Sequence, residues 1–315
     1  MLPPHDTLPQ PVADAISGRL EGGVRPESVQ RVGGGDINHA VTVTDSAGQR
    51  WFIKWNATSP AGMFDAELDG LRAMAEAIGP LEDQLRVPQA VANGTADGIA
   101  WLLMEFLAPA VTTRGGTSRG WEVRLGRGLA ALHRQSARAS RGTYGWRRDN
   151  YLGRLAQANP PSVDWAAYWR DHRIAPQADA AHGAGLLSDA ERLEVDRFLG
   201  RTDVILEGAS AEGASLLHGD LWGGNVMASE GGRAALYDPA VYRGHREVDL
   251  AMSELFGFPS RFMPAYRDAW PVDGRYDEVR RDAYQLYYLL AHVNLFGRGY
   301  AAGAMGAVRR VLARV

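Results

Sequence analysis

Cysteine is absent from all 315 residues. That excludes disulfides, thiol nucleophiles and thiolate-ligated zinc; it fits a reducing compartment, so a cytoplasmic location is expected. Also missing is any run of about 18 apolar residues of the kind that crosses a bilayer, so no membrane partner is expected. The opening Met1-Leu2-Pro3-Pro4-His5-Asp6 has neither a basic n-region nor an apolar h-region, and no secretory signal is expected from it. An excess of one charge is lacking as well. The 34 Lys+Arg against 37 Asp+Glu leave a formal net charge of −3, which supplies no basic field for nucleic acid. No internal repeat and no long low-complexity tract stands out. What is present is 45% hydrophobic residues, enough at this length for one large domain or two lobes. The 37 glycines and 9 tryptophans point to tight turns and aromatic-lined pockets.

The chain changes character along its length. A short helix is expected around residues 12–20. Val41-Thr42-Val43-Thr44 and Trp51-Phe52-Ile53-Lys54-Trp55 are β-branched and aromatic, and Asp45-Ser46-Ala47-Gly48 between them is a turn, so a hairpin is expected. Phe64, Leu68, Leu71 and Ala75 have the spacing of one helix face. Extended segments follow from Val87 and at Ala100-Trp101-Leu102-Leu103-Met104. Residues 112–120 read as a polar, Gly-rich linker. Beyond it helices dominate: one with Leu125, Leu129, Leu132 and Ser136 on a face, one over 165–180, one over 188–199 capped by Ser188 and Glu191, and one over 276–296 stopped by Gly297. The expected architecture is α+β and two-lobed. An N-terminal extension (1–24) precedes a β-rich N-lobe (25–106), a helical C-lobe (107–315) follows, and a ligand cleft lies between the lobes.

The densest chemistry is in Leu216-Leu217-His218-Gly219-Asp220-Leu221-Trp222-Gly223-Gly224-Asn225. A carboxylate in a loop is followed five positions later by an amide. A second carboxylate ends the next strand, in Leu236-Tyr237-Asp238-Pro239-Ala240. Phosphoryl transfer needs these groups: one carboxylate to position the attacking hydroxyl and take its proton, an amide oxygen and another carboxylate to hold Mg²⁺. The spacing matches the kinase loop H-R-D-x-x-x-x-N, with Gly219 in place of Arg, and Asp238 stands where D-F-G would begin. The other lobe completes the set. Strand alternation puts Phe52 and Lys54 on one face. Lys54 can reach nucleotide phosphates, and Glu67 in the following helix can hold it. Gly33-Gly34-Gly35-Asp36-Ile37-Asn38 before the hairpin offers backbone N–H groups to phosphates. Met104, Glu105 and Phe106 at the lobe junction can read an adenine edge through their backbone.

Gly34-Gly35-Asp36-Ile37-Asn38-His39-Ala40, Phe52-Ile53-Lys54, the His218–Asn225 string, Tyr237-Asp238-Pro239-Ala240 and Tyr242-Arg243-Gly244-His245-Arg246-Glu247-Val248-Asp249-Leu250-Ala251 resemble the fructosamine kinases, or ketosamine-3-kinases, as do Tyr284-Gln285-Leu286-Tyr287 and Asn294-Leu295-Phe296-Gly297. The resemblance covers about residues 12–312. It implies a protein-kinase-like fold and ATP-dependent phosphorylation of the 3-hydroxyl of a ketosamine, the adduct of a sugar with an amine. The resulting phosphate decomposes and frees the amine, which is deglycation repair. Carried over by position, Asp220 is the catalytic base and Asn225 with Asp238 binds Mg²⁺. Lys54, oriented by Glu67, contacts ATP phosphates together with Gly34, Gly35, Asp36, Ile37 and Asn38, and Met104, Glu105 and Phe106 form the hinge. The partner is a free or protein-bound glycated amine; the oligomeric state is left open.

Other roles are read from position. Trp222 either stacks on the sugar or packs beneath its own loop. Asp249 is expected to brace the loop by accepting backbone bonds, His218 to hold it, and His133 to be a satisfied core histidine. Trp146-Arg147-Arg148 reads as a solvated face. Two rival functions stand beside the first. An aminoglycoside or other small-alcohol kinase would recruit carboxylates such as Asp268, Asp273, Asp277 and Glu278. A nucleotide-sensing protein without turnover would not need Asp220.

Overall fold

Two runs of alternating residues either side of a four-residue turn fold as a hairpin in the computed structural model, which describes residues 7–20, 23, 25, 28–32, 37–110 and 120–315. Helix α1 (Gln10–Ser17) is followed by strands β1 (Gln30–Arg31), β2 (His39–Thr44) and β3 (Arg50–Asn56), helix α2 (Met63–Ile78), and strands β4 (Leu85–Arg86), β5 (Ala90–Ala96) and β6 (Ile99–Glu105). Helix α1 starts two residues before the expected position, because Pro11 fits the first helical turn, where its missing N–H costs nothing. Five strands form an antiparallel sheet in the order β1-β2-β3-β6-β5.

The period-2 alternation divides each strand between two cores. Val41, Val43, Ile53, Trp55, Trp101 and Leu103 pack against Val12 and Ile16 of α1. Leu102 and Met104 face the other way, into a core shared with α2 and the helical part of the chain, and Phe52 packs against it. Ile53 sits opposite Val41 and Leu103 and is fully buried. A one-residue slip would put Lys54 in its place, so burial of the apolar set holds the register that aims the lysine.

The second half begins with α3 (Trp121–Ala139), whose buried face carries Leu125, Leu129, Leu132 and Ser136 as the spacing predicts. Strands β7 (Asn150–Leu152) and β8 (Leu155–Gln157) form a small hairpin, followed by α4 (Trp165–Trp169) and α5 (Ala175–Gly183). The single helix expected over 165–180 contains a π-turn, Arg170–Ile174. Pro176 is the physical cause: it has no N–H for the His172 carbonyl, and that carbonyl accepts from the Arg173 side chain at 2.9 Å instead. Helix α6 (Asp189–Leu199) opens with the expected capping box: Ser188 N–H donates to the Glu191 carboxylate at 2.7 Å and Glu191 N–H to the Ser188 hydroxyl at 3.4 Å. Then come α7 (Thr202–Ile205), β9 (Ser215–Leu217), β10 (Val226–Ala228), β11 (Ala234–Leu236), β12 (Tyr242–Gly244), α8 (Glu247–Ser253), α9 (Phe262–Ala269), α10 (Arg281–Phe296) and α11 (Ala301–Leu312). Helix α10, entered through the π-turn Tyr276–Arg280, is buried over most of its circumference and stops at Gly297, whose φ of 96° suits glycine.

One pairing crosses from the first half to the second. Strand β4 takes no part in the large sheet and pairs in parallel with β11, in a sheet ordered β10-β11-β4. The Trp146-Arg147-Arg148 run, expected as a solvated face, keeps both arginines exposed and also makes a second tie. The Trp146 indole donates to Asp69 of α2 at 2.8 Å, and Arg147 bonds the same carboxylate through Nε at 2.9 Å and through Nη2. The linker at 112–120 lies outside the described residues except for Gly120. Among the described residues no helix is long and apolar enough to cross a membrane.

Buried charge braces the floor of the helical part. Arg246 is fully buried, forks onto Glu212 at 2.6 and 2.7 Å, and lies 3.9 Å over the Trp270 ring. Partial burial pushes the Glu212 carboxyl up, but the bonds from Arg246 and His245 outweigh it and bring its pKa down to about 2. A carboxylate lowered on folding stabilises above its unfolded pKa, and that stability is lost as pH falls through the folded value. A shift from 4.5 to about 2 is worth roughly 3 kcal/mol at about 1.4 kcal/mol per unit. Glu212→Gln should therefore be less stable than wild type by that order at pH 7 in urea unfolding, and the gap should close between pH 4.5 and 2. A gap that stays constant over that window would remove the carboxylate from the account.

Candidate active site

Lys54 leaves β3 on the face away from the α1 core and reaches two carboxylates at once: Glu67 of α2, at 2.7 Å, and Asp238, just beyond β11. Burial works against the ammonium, but Asp238 and Glu67 outweigh it and hold its pKa above the usual lysine range. One cation thus ties the sheet, the helix and the loop after β11 together. Asp238 has φ 57°, a left-handed conformation that costs a non-glycine residue on the order of 1 kcal/mol.

The loop after β9 carries Asp220. Gly219 turns it with φ 81°, and a Cβ there would lie 2.1 Å from the Ala240 carbonyl, so no other residue fits. Asp249 in α8, fully buried, accepts the N–H of His218 at 2.7 Å and of Gly219 at 2.9 Å, the brace expected of it. His133 is the satisfied core histidine that was expected, bonded to Asp249 at 3.2 Å and to the Tyr266 hydroxyl at 2.8 Å. His218 donates through Nε2 to the Tyr237 carbonyl at 3.0 Å. Its Nδ1 faces the Asp220 N–H at 3.3 Å as an acceptor, the arrangement of a neutral ring, and burial pulls its pKa down. The Tyr288 hydroxyl donates to the Gly219 carbonyl at 2.8 Å.

Asn225 donates through Nδ2 to the Asp220 carbonyl at 2.8 Å and to its carboxylate at 3.1 Å, which leaves the amide oxygen for the cleft. Burial, then the charge of Asp238, pushes the Asp220 carboxyl up to about 7; Asn225 and Lys54 pull the other way. A carboxyl poised there can take a proton from a hydroxyl near neutral pH. The Asn225 amide oxygen and the Asp238 carboxylate are hard oxygen donors beside the same cleft, a donor set that fits Mg²⁺. Among the described residues the tightest alternative group, Glu212, His245 and Glu247, is already bonded to Arg246 and Arg280.

Lys54, its two carboxylates, Asp220 and Asn225 open onto one cleft of about 890 Å³. Ile37, Asn38, Lys54, Glu67, Met104, Glu105, Phe106, Asp220, Trp222, Asn225 and Asp238 line it. Gly34, Gly35 and Asp36 lie outside the described residues. The Glu105 N–H is already bonded to the Gln89 carbonyl at 2.9 Å and its carboxylate to Arg86, and Phe106 and Leu107 continue along the cleft. Trp222 packs on the backbone of Gly224, where a Cβ would meet the indole at 2.2 Å, and it also lines the cleft. The two readings of this residue are therefore compatible. Asp268, Asp273, Asp277 and Glu278 line no part of it; the first three pair with Arg127, Arg280 and Arg267.

Three groups of residues escaped the sequence reading. Asn56 donates to the Ile37 carbonyl at 2.9 Å and to Asn38 at 3.0 Å, bracing the end of the glycine run. Its place two positions after Lys54, on the same strand face, is the signal. Asn150 and Gln157 hold the carbonyls of Val241 and Ala240 beneath the loop after Asp238. The ring-lined end of the cleft, from Phe256, His292, Phe296 and Tyr300, was touched by the sequence reading only at Phe296, within the Asn294–Gly297 string.

A family model described as fructosamine kinase matches residues 9–314. The chain is 35% identical over 307 residues to a protein assigned as a ketoamine kinase in Synechocystis sp., covering 96% of each. A crystal structure of a protein assigned as a fructosamine-3-kinase from Thermobifida fusca superposes with a TM-score of 0.80 at 30% identity, over 96% of this chain and 98% of that one. An aminoglycoside phosphotransferase superposes with a TM-score of 0.60 at 16% identity, over 96% of this chain and all of the other, a likeness of fold.

Proposed function

Because this chain belongs to the fructosamine kinase family, we propose that it phosphorylates the 3-hydroxyl of ketosamines with ATP, as a step of deglycation repair. The observation that carries the reading is the convergence of Lys54 and Glu67 from one half of the chain with Asp220, Asn225 and Asp238 from the other on a single cleft. On this reading residues 25–106 bind the nucleotide and 107–315 supply catalysis and acceptor binding. Lys54, held by Glu67, offsets phosphate charge. Ile37 and Asn38, with Gly34, Gly35 and Asp36, cover the phosphates, and Met104, Glu105 and Phe106 bring the chain past the base.

Asn225 and Asp238 would hold Mg²⁺, which neutralises phosphate charge when bound. Asp220 orients the acceptor hydroxyl and receives its proton at a carboxylate oxygen as the hydroxyl oxygen bonds to the γ-phosphorus and the bond to ADP breaks. Trp222 offers an indole face to the sugar. Positioning and charge stabilisation supply most of the rate. The pairing of Asp268, Asp273 and Asp277 away from the cleft speaks against a polycationic acceptor. Incubation with ATP, Mg²⁺ and ribulosyl- or fructosyl-lysine should add one phosphoryl group by mass spectrometry. Turnover of aminoglycosides but of no ketosamine would overturn the reading.

A further inference from the structure

Residues at four-position spacing on α10 run from the catalytic loop to the surface. Tyr288 is fully buried and bonds the Gly219 carbonyl beside Asp220; His292, one turn on, is half-buried; Phe296, a further turn on, is 49% exposed. Each four-residue step advances about 6 Å along the helix. Tyr300 follows across the Gly297 stop and is 38% exposed. His292 is the centre of a ring cluster, with centroids 4.4 Å from Phe256, 5.4 Å from Phe296 and 5.1 Å from Tyr300. All four rings line the cleft that holds Asp220. Large apolar side chains this exposed, continuous with a reaction cleft, call for a ligand.

The chemistry of this end is specific. Among the described residues, the carboxylates that line the cleft, Glu67, Glu105, Asp220 and Asp238, belong to the nucleotide side and the reacting centre, and the lining cation is Lys54. The ring end is therefore lined by π faces and, among the described residues, by no charged side chain; Arg154 donates to the Leu295 carbonyl at 3.0 Å without lining the cleft. His292 Nδ1 lies 2.7 Å from the Tyr288 carbonyl. A carbonyl only accepts, so Nδ1 carries the proton, and in the neutral ring Nε2 is an acceptor. Burial pulls the His292 pKa down, which favours that neutral form. Among the described residues Nε2 has no protein partner. Three π faces and one ring lone pair suit an alkylammonium, which binds ring faces and donates hydrogen bonds.

A ketosamine carries such a group. Its nitrogen is three bonds from C3, and as a secondary alkylamine it holds a proton at neutral pH. With the 3-hydroxyl at Asp220, the nitrogen and its substituent must leave past the sugar toward solvent. We propose that the cluster of Phe256, His292, Phe296 and Tyr300 is the seat of the acceptor's ammonium and alkyl stem, and that it selects ketosamines borne on lysine-like amines over the parent ketose. The proposal rests on the ketosamine reading above. His292 and the rings are specificity residues that touch the acceptor and take no part in proton transfer.

The test separates the two claims. Binding of ribulosyl-lysine and of ribulose is measured by calorimetry on Asp220→Asn, where turnover does not interfere. It is repeated with Phe296→Ala/Tyr300→Ala and with His292→Leu added. Steady-state kinetics are run on the same changes in the active enzyme, with Val163→Ala, exposed elsewhere, as control. The expected result is a loss of about tenfold in ribulosyl-lysine affinity, seen as a rise in KM rather than a fall in kcat, with ribulose affected less than twofold. Equal losses for both acceptors, a loss confined to kcat, or no loss would overturn the proposal while leaving ketosamine phosphorylation in place. Wild-type enzyme that binds and phosphorylates no ketosamine would sink the functional reading itself, and this seat with it.

Discussion

Asp220→Asn should lower kcat about a thousandfold while the chain stays folded and still binds nucleotide. The amide keeps the size of the carboxyl and cannot take the proton, and a positioned base contributes 10²–10⁴-fold in rate, so about 10³ is expected. Single-turnover phosphoryl transfer, beside circular dichroism and a nucleotide-binding titration, makes the measurement. A variant that retains even a tenth of wild-type turnover would take the proton-accepting role away from Asp220. The same side chain sets a pH dependence. The base works when ionised, and its pKa is raised to about 7 by burial and by the charge of Asp238. Activity should therefore be lost as pH falls through about 7 in kcat/KM, which reports the free enzyme. A flat profile between pH 6 and 8 contradicts that assignment.

The second large effect is one of folding. Asp249→Ala should destabilise the protein by about 4 kcal/mol. It leaves the buried N–H groups of His218 and Gly219 without an acceptor, each at a cost of about 1–3 kcal/mol, and it strips His133 of one partner. Because Gly219 precedes the base directly, activity should fall with stability. Urea unfolding followed by tryptophan fluorescence checks the first claim and kinetics in mild conditions the second. A midpoint shift worth less than about 1 kcal/mol would mean that water satisfies the loop as well as Asp249 does. Asp249→Asn, with one acceptor oxygen in place of two, should fall between wild type and the alanine variant.

Local physics was legible where a short segment decides its own structure. The hairpin register follows from burial of Val41, Ile53 and Leu103, and with it the side of the sheet on which Lys54 emerges. The Ser188–Glu191 capping box and the Gly297 stop are residue-level chemistry and were read as such. The Asp220–Asn225 spacing showed an amide within reach of the base because five residues of loop can fold back on themselves. Departures came where a distant partner overrides a local preference. Trp146 looks like part of a solvated face until Asp69 of α2 meets its indole, while Arg147 and Arg148 stay exposed as expected. The Glu105 N–H looks available until Gln89 takes it.

The sequence by itself determined which groups are on offer: a lysine on one strand face, two carboxylates and an amide at spacings that suit phosphoryl transfer, and no thiol to suggest other chemistry. It did so because periodicity, turn chemistry and capping act over a few residues. Only the tertiary structure decided that Lys54 meets Asp238 across 184 positions of chain, that β4 pairs with β11, and that His292 and the three rings around it open onto the reacting centre. Those outcomes depend on how two cores pack against each other, and no short window of residues carries that information.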